Sequence, residues 1–344
     1  PAYTNSLQAS EFTGEKVGQD SAQYGTKYDP GSLRFKSKDN KGKLLELKKY
    51  SSKYAASIET ILEAVKNGKN IFIFNSFVSG GGIETFSRIL QLFNFEKVKY
   101  SNINKIKSIK SLGSSAPAGR FVTLTGTKPD KAPIEWKQMV VKRFNQKDNK
   151  NGNFINIVIA STAISEGYSF KNIQVVDIQS PWFQFARISQ AIARGFRFGS
   201  HKDLLEGKNK IEVDVYLRVA VTDDTQYLND SDIITYNLSE KKDLVVKKIE
   251  HIIKENAIDS LINYDRNSRP SKYDDSRECE YTKCEYTPFP GENVYRGVTD
   301  YSTSVLHYGV TDEMKGKVLE VFKKHDSVKL EKIISDTNMG LFVT

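Results

Sequence analysis

Four short, almost wholly apolar runs constrain the fold of this chain more than any other feature. They are Asn70-Ile71-Phe72-Ile73-Phe74, Phe121-Val122-Thr123-Leu124-Thr125-Gly126, Asn156-Ile157-Val158-Ile159-Ala160 and Ile173-Gln174-Val175-Val176-Asp177-Ile178. Each has the length of a strand and little polar alternation, the pattern of strands covered on both faces in a parallel sheet. A further strand is expected over Val213 to Val221. Helical periodicity fills the gaps. Ser51 or Ser52 caps a helix running to about Val65, with Ile58, Ile61, Leu62 and Val65 as its apolar stripe. Others are expected over Ile83 to Phe93, over Trp136 to Phe144, and after Pro181-Trp182. Alternating strand and helix predicts an α/β fold: a doubly wound, mostly parallel sheet with helices on both faces, plus a mainly helical C-terminal extension. Functional loops of such a sheet gather at the carboxyl ends of its strands. Ser76, Ser161 and the helix carrying Arg194 all fall on that side.

With 344 residues, 38% of them hydrophobic, the chain can bury a sizeable core. A net charge of +9 favours an anionic partner, most simply nucleic acid, although the excess is lysine scattered along the chain. No run of about eighteen apolar residues exists, so no membrane span is expected, and no signal-peptide pattern opens the sequence. Two cysteines, Cys279 and Cys284, point to an intracellular, reducing compartment. They make half a zinc site at most, and His201, His251, His307 and His325 do not complete it by spacing, so free structural thiols are expected and no metal site is assigned.

The chemistry gathers in Gln190-Ala191-Ile192-Ala193-Arg194-Gly195-Phe196-Arg197. Helical spacing predicts Arg194 and Arg197 on one face, with Gln190 a turn earlier. Two guanidinium forks pointing one way suit the phosphate tail of a nucleotide. Upstream, the strand at Ile157 ends in Ser161-Thr162-Ala163-Ile164-Ser165-Glu166-Gly167, and hydroxyls and N–H groups at a strand end are good phosphate ligands. The first strand likewise leads through Ser76 into Gly80-Gly81-Gly82, where the hydroxyl and the loop amides suit a nucleic-acid phosphate or a plain strand-to-helix turn. The loop from Lys97 to Lys110, with Tyr100 and five lysines, is basic and partly aromatic, which suits a single strand or a plain solvated loop.

Taken in order, the segment from Ile157 to His201 resembles motifs V and VI of superfamily 2 helicases and translocases. Gln190, Arg194 and Arg197 match the Q-x-x-G-R-x-x-R pattern, with Ala193 where the pattern has glycine. Ser165-Glu166-Gly167, Pro181-Trp182, Gly199-Ser200-His201, Phe144-Asn145 and Asp148 to Gly152 look most like the viral nucleoside triphosphatase I and early-transcription-factor helicase group of large DNA viruses. The resemblance covers roughly 40 to 285. It implies a second RecA-like motor domain, with motifs IV, V and VI, over 46–225. It also implies that Arg197, Arg194 and Gln190 act in catalysis, and that Glu166, Gly167, Arg194 and Arg197 meet the nucleotide. Ser76, Gly80, Ser161 and Thr162 would meet DNA or RNA. The implied cofactors are ATP and Mg²⁺, and the setting is the host cytoplasm or the virion.

No G-x-x-x-x-G-K-[ST] occurs in the sequence, and its only adjacent Asp-Glu pair, Asp312-Glu313, follows no apolar strand. The phosphate loop and the Mg²⁺-holding acids are therefore expected from a first motor domain, in cis or in trans, and a viral RNA polymerase is a further expected partner. The start at Pro1, without methionine, fits a fragment or a processed chain. The other reading is a non-catalytic nucleic-acid-binding or scaffold module that keeps the motor fold. Residues 1–45 read as a polar connecting arm and 226–300 as a helical extension carrying the cysteines. In that extension Lys241 to Asn263 is expected as an amphipathic helix that packs Val245, Ile249, Ile252, Ile253 and Leu261 into the core. Residues 301–344 read as short helices, Met314 to Phe322 and Leu330 to Ile334, resembling the start of a winged-helix module.

Overall fold

The structure is a computed structural model and describes residues 33–126, 135–162, 168–197, 199–206, 210–221, 230–257, 259–260, 262–288, 312–324 and 330–337. The chain divides into two compact units, 1–245 and 246–344. The first is built on six parallel strands in the order β2-β3-β4-β1-β5-β6. They are β1 (Asn70–Phe74), β2 (Phe95–Lys97), β3 (Gly119–Leu124), β4 (Ile157–Ala160), β5 (Ile173–Ile178) and β6 (Asp214–Leu217). β1 lies between β4 and β5, with Phe72 level with Val158 on one side and Val176 on the other.

The alternation of side chains along these strands makes two cores from one sheet. Ile71, Ile73, Phe121, Ile157, Ile159 and Val175 face one way. There they meet helices α1 (Asn40–Lys48), α2 (Ser52–Lys66) and α3 (Ile83–Leu92), through Leu47, Tyr54, Ile58, Ile61, Phe86 and Leu90. Phe72, Phe74, Val122, Leu124, Val158, Ala160, Val176 and Ile178 face the other way. They meet α4 (Trp136–Phe144) and α5 (Phe185–Gly195) through Trp136, Val140, Phe144, Ile188 and Ala191. Each large side chain fully removed from water contributes about 1.5–3 kcal/mol. Helices on both faces of a parallel sheet are the doubly wound architecture expected from the sequence.

Local chemistry sets the ends of these elements. Ser51 caps α2, its Oγ accepting from Tyr54 N at 2.9 Å. Gly195 closes α5 against β5, where a Cβ would lie 2.9 Å from Ile173 Cγ2. Asn149 is fully buried and holds the turn after α4. Its Nδ2 donates to Phe144 and Ile155 carbonyls, and its Oδ1 accepts from Phe154 and Ile155 N–H groups. In the stretch read as a polar arm, residues 1–32 lie outside the described residues, whereas Leu33 is buried and Phe35 packs on the core.

Three expectations need correction. The strand over 213–221 shrinks to β6, an edge strand with partly exposed residues, and the three-residue β2 had no sequence signal. After the one-turn α6 (Lys202–Leu205), the long helix is α7 (Ser231–Asn256), which starts and ends earlier than expected, Leu261 lying outside the described residues. It buries Asp232, Thr235, Ser239 and Asp243, while Val245, Ile249, Ile252 and Ile253 are each more than half exposed. The reason is an ion pair. Lys53 Nζ donates to Asp232 Oδ2 at 2.8 Å with both side chains wholly buried, and Ala220 N donates to the same oxygen at 2.9 Å. That polar anchor, not the apolar stripe, fixes the start of the helix on α2. Finally, the two cysteines are not free thiols. Cys279 and Cys284 are disulfide-bonded, their Cα atoms 4.8 Å apart, because left-handed Glu280 and Tyr281 turn the chain back on itself.

That disulfide lies in the second unit, which also holds α8 (Tyr264–Asn267), α9 (Asp312–Lys324) and α10 (Leu330–Thr337). There Lys254 donates to Glu280 at 2.6 Å and stacks over Tyr286, whose ring lies 5.1 Å from that of Tyr264. Asp274 accepts from Cys284 N, which holds its carboxyl below the usual aspartate range. No described helix is long and apolar enough to cross a membrane.

Removing one partner of a buried ion pair leaves the other charge uncompensated, at about 3–5 kcal/mol. Asp232→Ala should therefore lower stability in urea unfolding by that amount. A loss below about 1 kcal/mol would show that the pair does not anchor α7.

Candidate nucleotide and nucleic-acid site

The carboxyl edge of the sheet is organised by side chains that the sequence did not single out. Asn75, the residue after β1, is fully buried, as are Gln179 and Ser180 after β5. Asn75 Nδ2 donates to Tyr54 Oη and to Gln179 Oε1, each at 3.1 Å. Its Oδ1 accepts from Phe77 N and from Ser180 Oγ, each at 2.9 Å. Gln179 Nε2 continues to Ser57 Oγ, and Tyr54 Oη donates to Gly81 O at 2.6 Å. The network ties α2, the loop after β1 and the loop after β5 into one block. Beneath it, burial pushes the Asp177 carboxyl above its usual range while the Arg218 guanidinium, 2.9 Å away, pulls it back.

This block dictates what the Ser76–Gly82 loop can offer. Ser76 N donates to Ser180 Oγ at 3.1 Å, and Gly82, Ile83 and Glu84 N–H groups are taken by Ser79, Phe77 and Val78 carbonyls. The loop amides expected to cradle a phosphate are thus largely spent on the loop itself. A Cβ on Gly82 would lie 2.2 Å from Phe77 O, so this close turn requires glycine. Gly80 adopts φ 61°, and its carbonyl accepts from Thr85 Oγ1. Ser76 Oγ is shielded from solvent and has no hydrogen-bond partner among the described residues.

Arg194 and Arg197 do not share a helix face, as their spacing predicted. α5 ends at Gly195 and Phe196 leaves helical geometry at φ −135°, ψ 82°, so Arg197 stands beyond the helix. Arg194, 8% exposed, donates from Nη1 to Tyr168 O at 3.0 Å, and its own carbonyl accepts from Phe170 N. Arg197 is exposed and donates from Nη1 to Ser169 Oγ. Ser200 Oγ closes its backbone by donating to Arg197 O at 2.7 Å, and buried His201 meets Ser200 Oγ and Ile173 O through its two ring nitrogens. The arginines therefore converge on one short segment, 168–170, from two different elements. Asn145 holds the same segment from α4, donating to Ser169 O and accepting from Lys171 N. Gln190 is exposed on α5.

Ser161 is buried at the end of β4, in a niche lined by Phe74, Ala160, Arg187 and Arg194, and Thr162 beside it is partly exposed. Glu166 and Gly167 lie outside the described residues. Among the described residues no group of three or more His, Cys, Asp or Glu side chains is placed to hold a metal ion.

An unsatisfied buried polar group costs about 1–3 kcal/mol, and Asn75→Ala strands several at once. The expected result is a stability loss of about 3 kcal/mol or more, with faster amide hydrogen exchange at Ser76 and Phe77 and little change at β3 and β4. Unchanged exchange at those two amides would show that the network does not hold the loop.

No family model matches the chain. It is 32% identical over 302 residues to a protein named as a helicase, 087L, of Invertebrate iridescent virus 3, covering 87% of this chain and 29% of that protein. It is 31% identical over 237 residues to a protein named as a helicase, 009L, of Frog virus 3, covering 68% of this chain and 23% of that protein. Nucleoside triphosphatase I of Melanoplus sanguinipes entomopoxvirus is 27% identical over 272 residues, 78% of this chain and 35% of the viral protein. The chain thus spans about a quarter to a third of the length of these relatives. The homologues of this chain are proteins named as helicases and nucleoside triphosphatase I of large DNA viruses, the group that the stretches from Phe144 to His201 resemble.

Proposed function

We propose that this chain is the second RecA-like motor domain of an ATP-dependent nucleic-acid helicase or translocase of viral transcription type. The observation that carries the reading is Arg197. Its guanidinium is exposed, set on a turn pinned by Ser200 and His201, and has no carboxylate partner among the described residues. A positioned, uncompensated guanidinium suits a polyphosphate. ATP, bound between this domain and a first motor domain that supplies the phosphate loop and Mg²⁺, provides the phosphoanhydride whose hydrolysis drives movement.

In this reading Arg197 is the finger that stabilises charge on the γ-phosphate. Arg194 positions the segment from Tyr168 to Phe170 and assists at the nucleotide. Gln190 lies a helical turn before Arg194 and helps to set the pair. Glu166 and Gly167 meet the nucleotide from the loop after β4. Ser76, Gly80, Ser161 and Thr162 form the region that meets the backbone of the DNA or RNA strand. An associated viral RNA polymerase is the expected setting.

In a protein that joins this domain to a phosphate-loop domain, Arg197→Ala should lower kcat about 10³–10⁵-fold while nucleic-acid affinity stays unchanged. Steady-state ATP turnover together with oligonucleotide binding checks both. Unchanged kcat would overturn the role of Arg197, and a protein indifferent to ATP would favour the scaffold reading.

A further inference from the structure

Most of the deeply placed cations of the first unit are neutralised by an acid: Lys53 by Asp232, Arg120 by Glu96 and Arg218 by Asp177. Two cations near the carboxyl edge are treated differently. The Arg187 guanidinium lies 4.4 Å from the centre of the Trp182 ring, and the Lys242 ammonium 4.9 Å from the centre of the Phe183 ring. The two rings are neighbours, their centres 4.9 Å apart and their planes 31° from parallel. Neither cation has a carboxylate partner among the described residues. A ring face holds a cation in place without cancelling its charge. The cluster is therefore preorganised and still fully cationic.

Its position gives it a use. Trp182 and Phe183 follow Ser180, the residue that anchors Ser76 N. Arg187, in the first turn of α5, lines the same niche as Ser161. Phe183 is 36% exposed, and Lys242 is exposed. Two unneutralised cations beside an accessible aromatic pair match a chain of phosphates carrying stackable bases.

We infer that Arg187 and Lys242, laid on the Trp182–Phe183 pair, form a binding site for the phosphodiester backbone of a single nucleic-acid strand. The inference rests on the reading of this chain as a nucleic-acid motor domain and adds residues outside Ser76, Gly80, Ser161 and Thr162. Trp182 is a positioning residue here: its ring holds the Arg187 guanidinium, 4.4 Å from the ring centre, without neutralising it.

The test is fluorescence anisotropy of the full chain with 5′-labelled 20-nucleotide single strands of DNA and of RNA, across a KCl series. Each phosphate contact on a single strand contributes about 0.7 to the slope of log K against log salt. Arg187→Ala and Lys242→Ala should each reduce that slope by about 0.7, and weaken binding several-fold at moderate salt. Lys210→Ala, at an exposed lysine paired with Glu212, should leave the slope unchanged. Arg187→Gln serves as a second variant if circular dichroism shows Arg187→Ala to be misfolded. Trp182→Leu should weaken binding several-fold although it removes no charge. Wild-type slope in folded Arg187 and Lys242 variants, with the wild-type chain binding normally, overturns this site and leaves the motor-domain reading in place. Absence of binding by the wild-type chain to both strands overturns the site together with the nucleic-acid contacts of that reading. Reduced slope on only one of the two strands supports the site and identifies the strand as DNA or RNA.

Discussion

Asn75 follows β1, the strand between β4 and β5, and both loops flanking the candidate site are tied to it directly or through one neighbour. A parallel sheet gathers its outgoing loops on one edge, where they compete for the same space. Loops also carry backbone polar groups that must be paired when buried. A primary amide answers both demands, since it donates twice and accepts twice from one point. In a buried setting such a network is favourable only when complete, and here Tyr54, Gln179, Ser180 and Phe77 complete it. The cost of disturbing it is what makes the carboxyl edge a rigid platform. Ser76 takes its placement from that network through Ser180.

The distribution of opposite charge carries more information than the net charge of +9. Lysine excess alone says little about function. Lys53, Arg120 and Arg218 are matched by carboxylates, and their work is to join elements. Arg197, Arg187 and Lys242 instead lean on a hydroxyl or a ring, which fixes their geometry and leaves their charge uncancelled. On the proposed function, withholding the acid at these three positions leaves their charge for an anionic ligand.

The strands were legible because being covered on both faces turns them into apolar runs, and β1, β3, β4 and β5 appear where those runs lie. β2 was not, since three residues, two of them charged, leave no pattern. α7 was misread because its buried face is polar: periodicity pointed to Val245, Ile249, Ile252 and Ile253, while a buried ion pair at Asp232 decides where the helix docks. The arginines were legible as residues but not as geometry. Gly195 packs where no Cβ fits and Phe196 turns the chain out, so a three-residue spacing no longer means one face. Asn75, Gln179 and Ser180 escaped notice because a polar residue after a strand reads as the start of a turn. Only the three-dimensional junction of β1 and β5 shows them to be one network. The cysteine pairing was equally hidden, since it depends on two successive left-handed residues, Glu280 and Tyr281.

The convergence of Arg194 and Arg197 on one segment bears on how the proposed motor would couple its two ligands. Arg194 is committed, because its guanidinium is buried and bonded to the Tyr168 carbonyl. Arg197 reaches Ser169 by a hydroxyl contact at the surface, an interaction that a phosphate would outcompete, since it adds an opposite charge and a bidentate geometry that a neutral hydroxyl lacks. On the proposed function, an Arg197 that turns to a nucleotide releases Ser169, while Asn145 and Arg194 keep their hold on the carbonyls either side of it. The segment they hold is continuous with the loop that leaves β4 at Ser161 and Thr162, the proposed contacts to the strand.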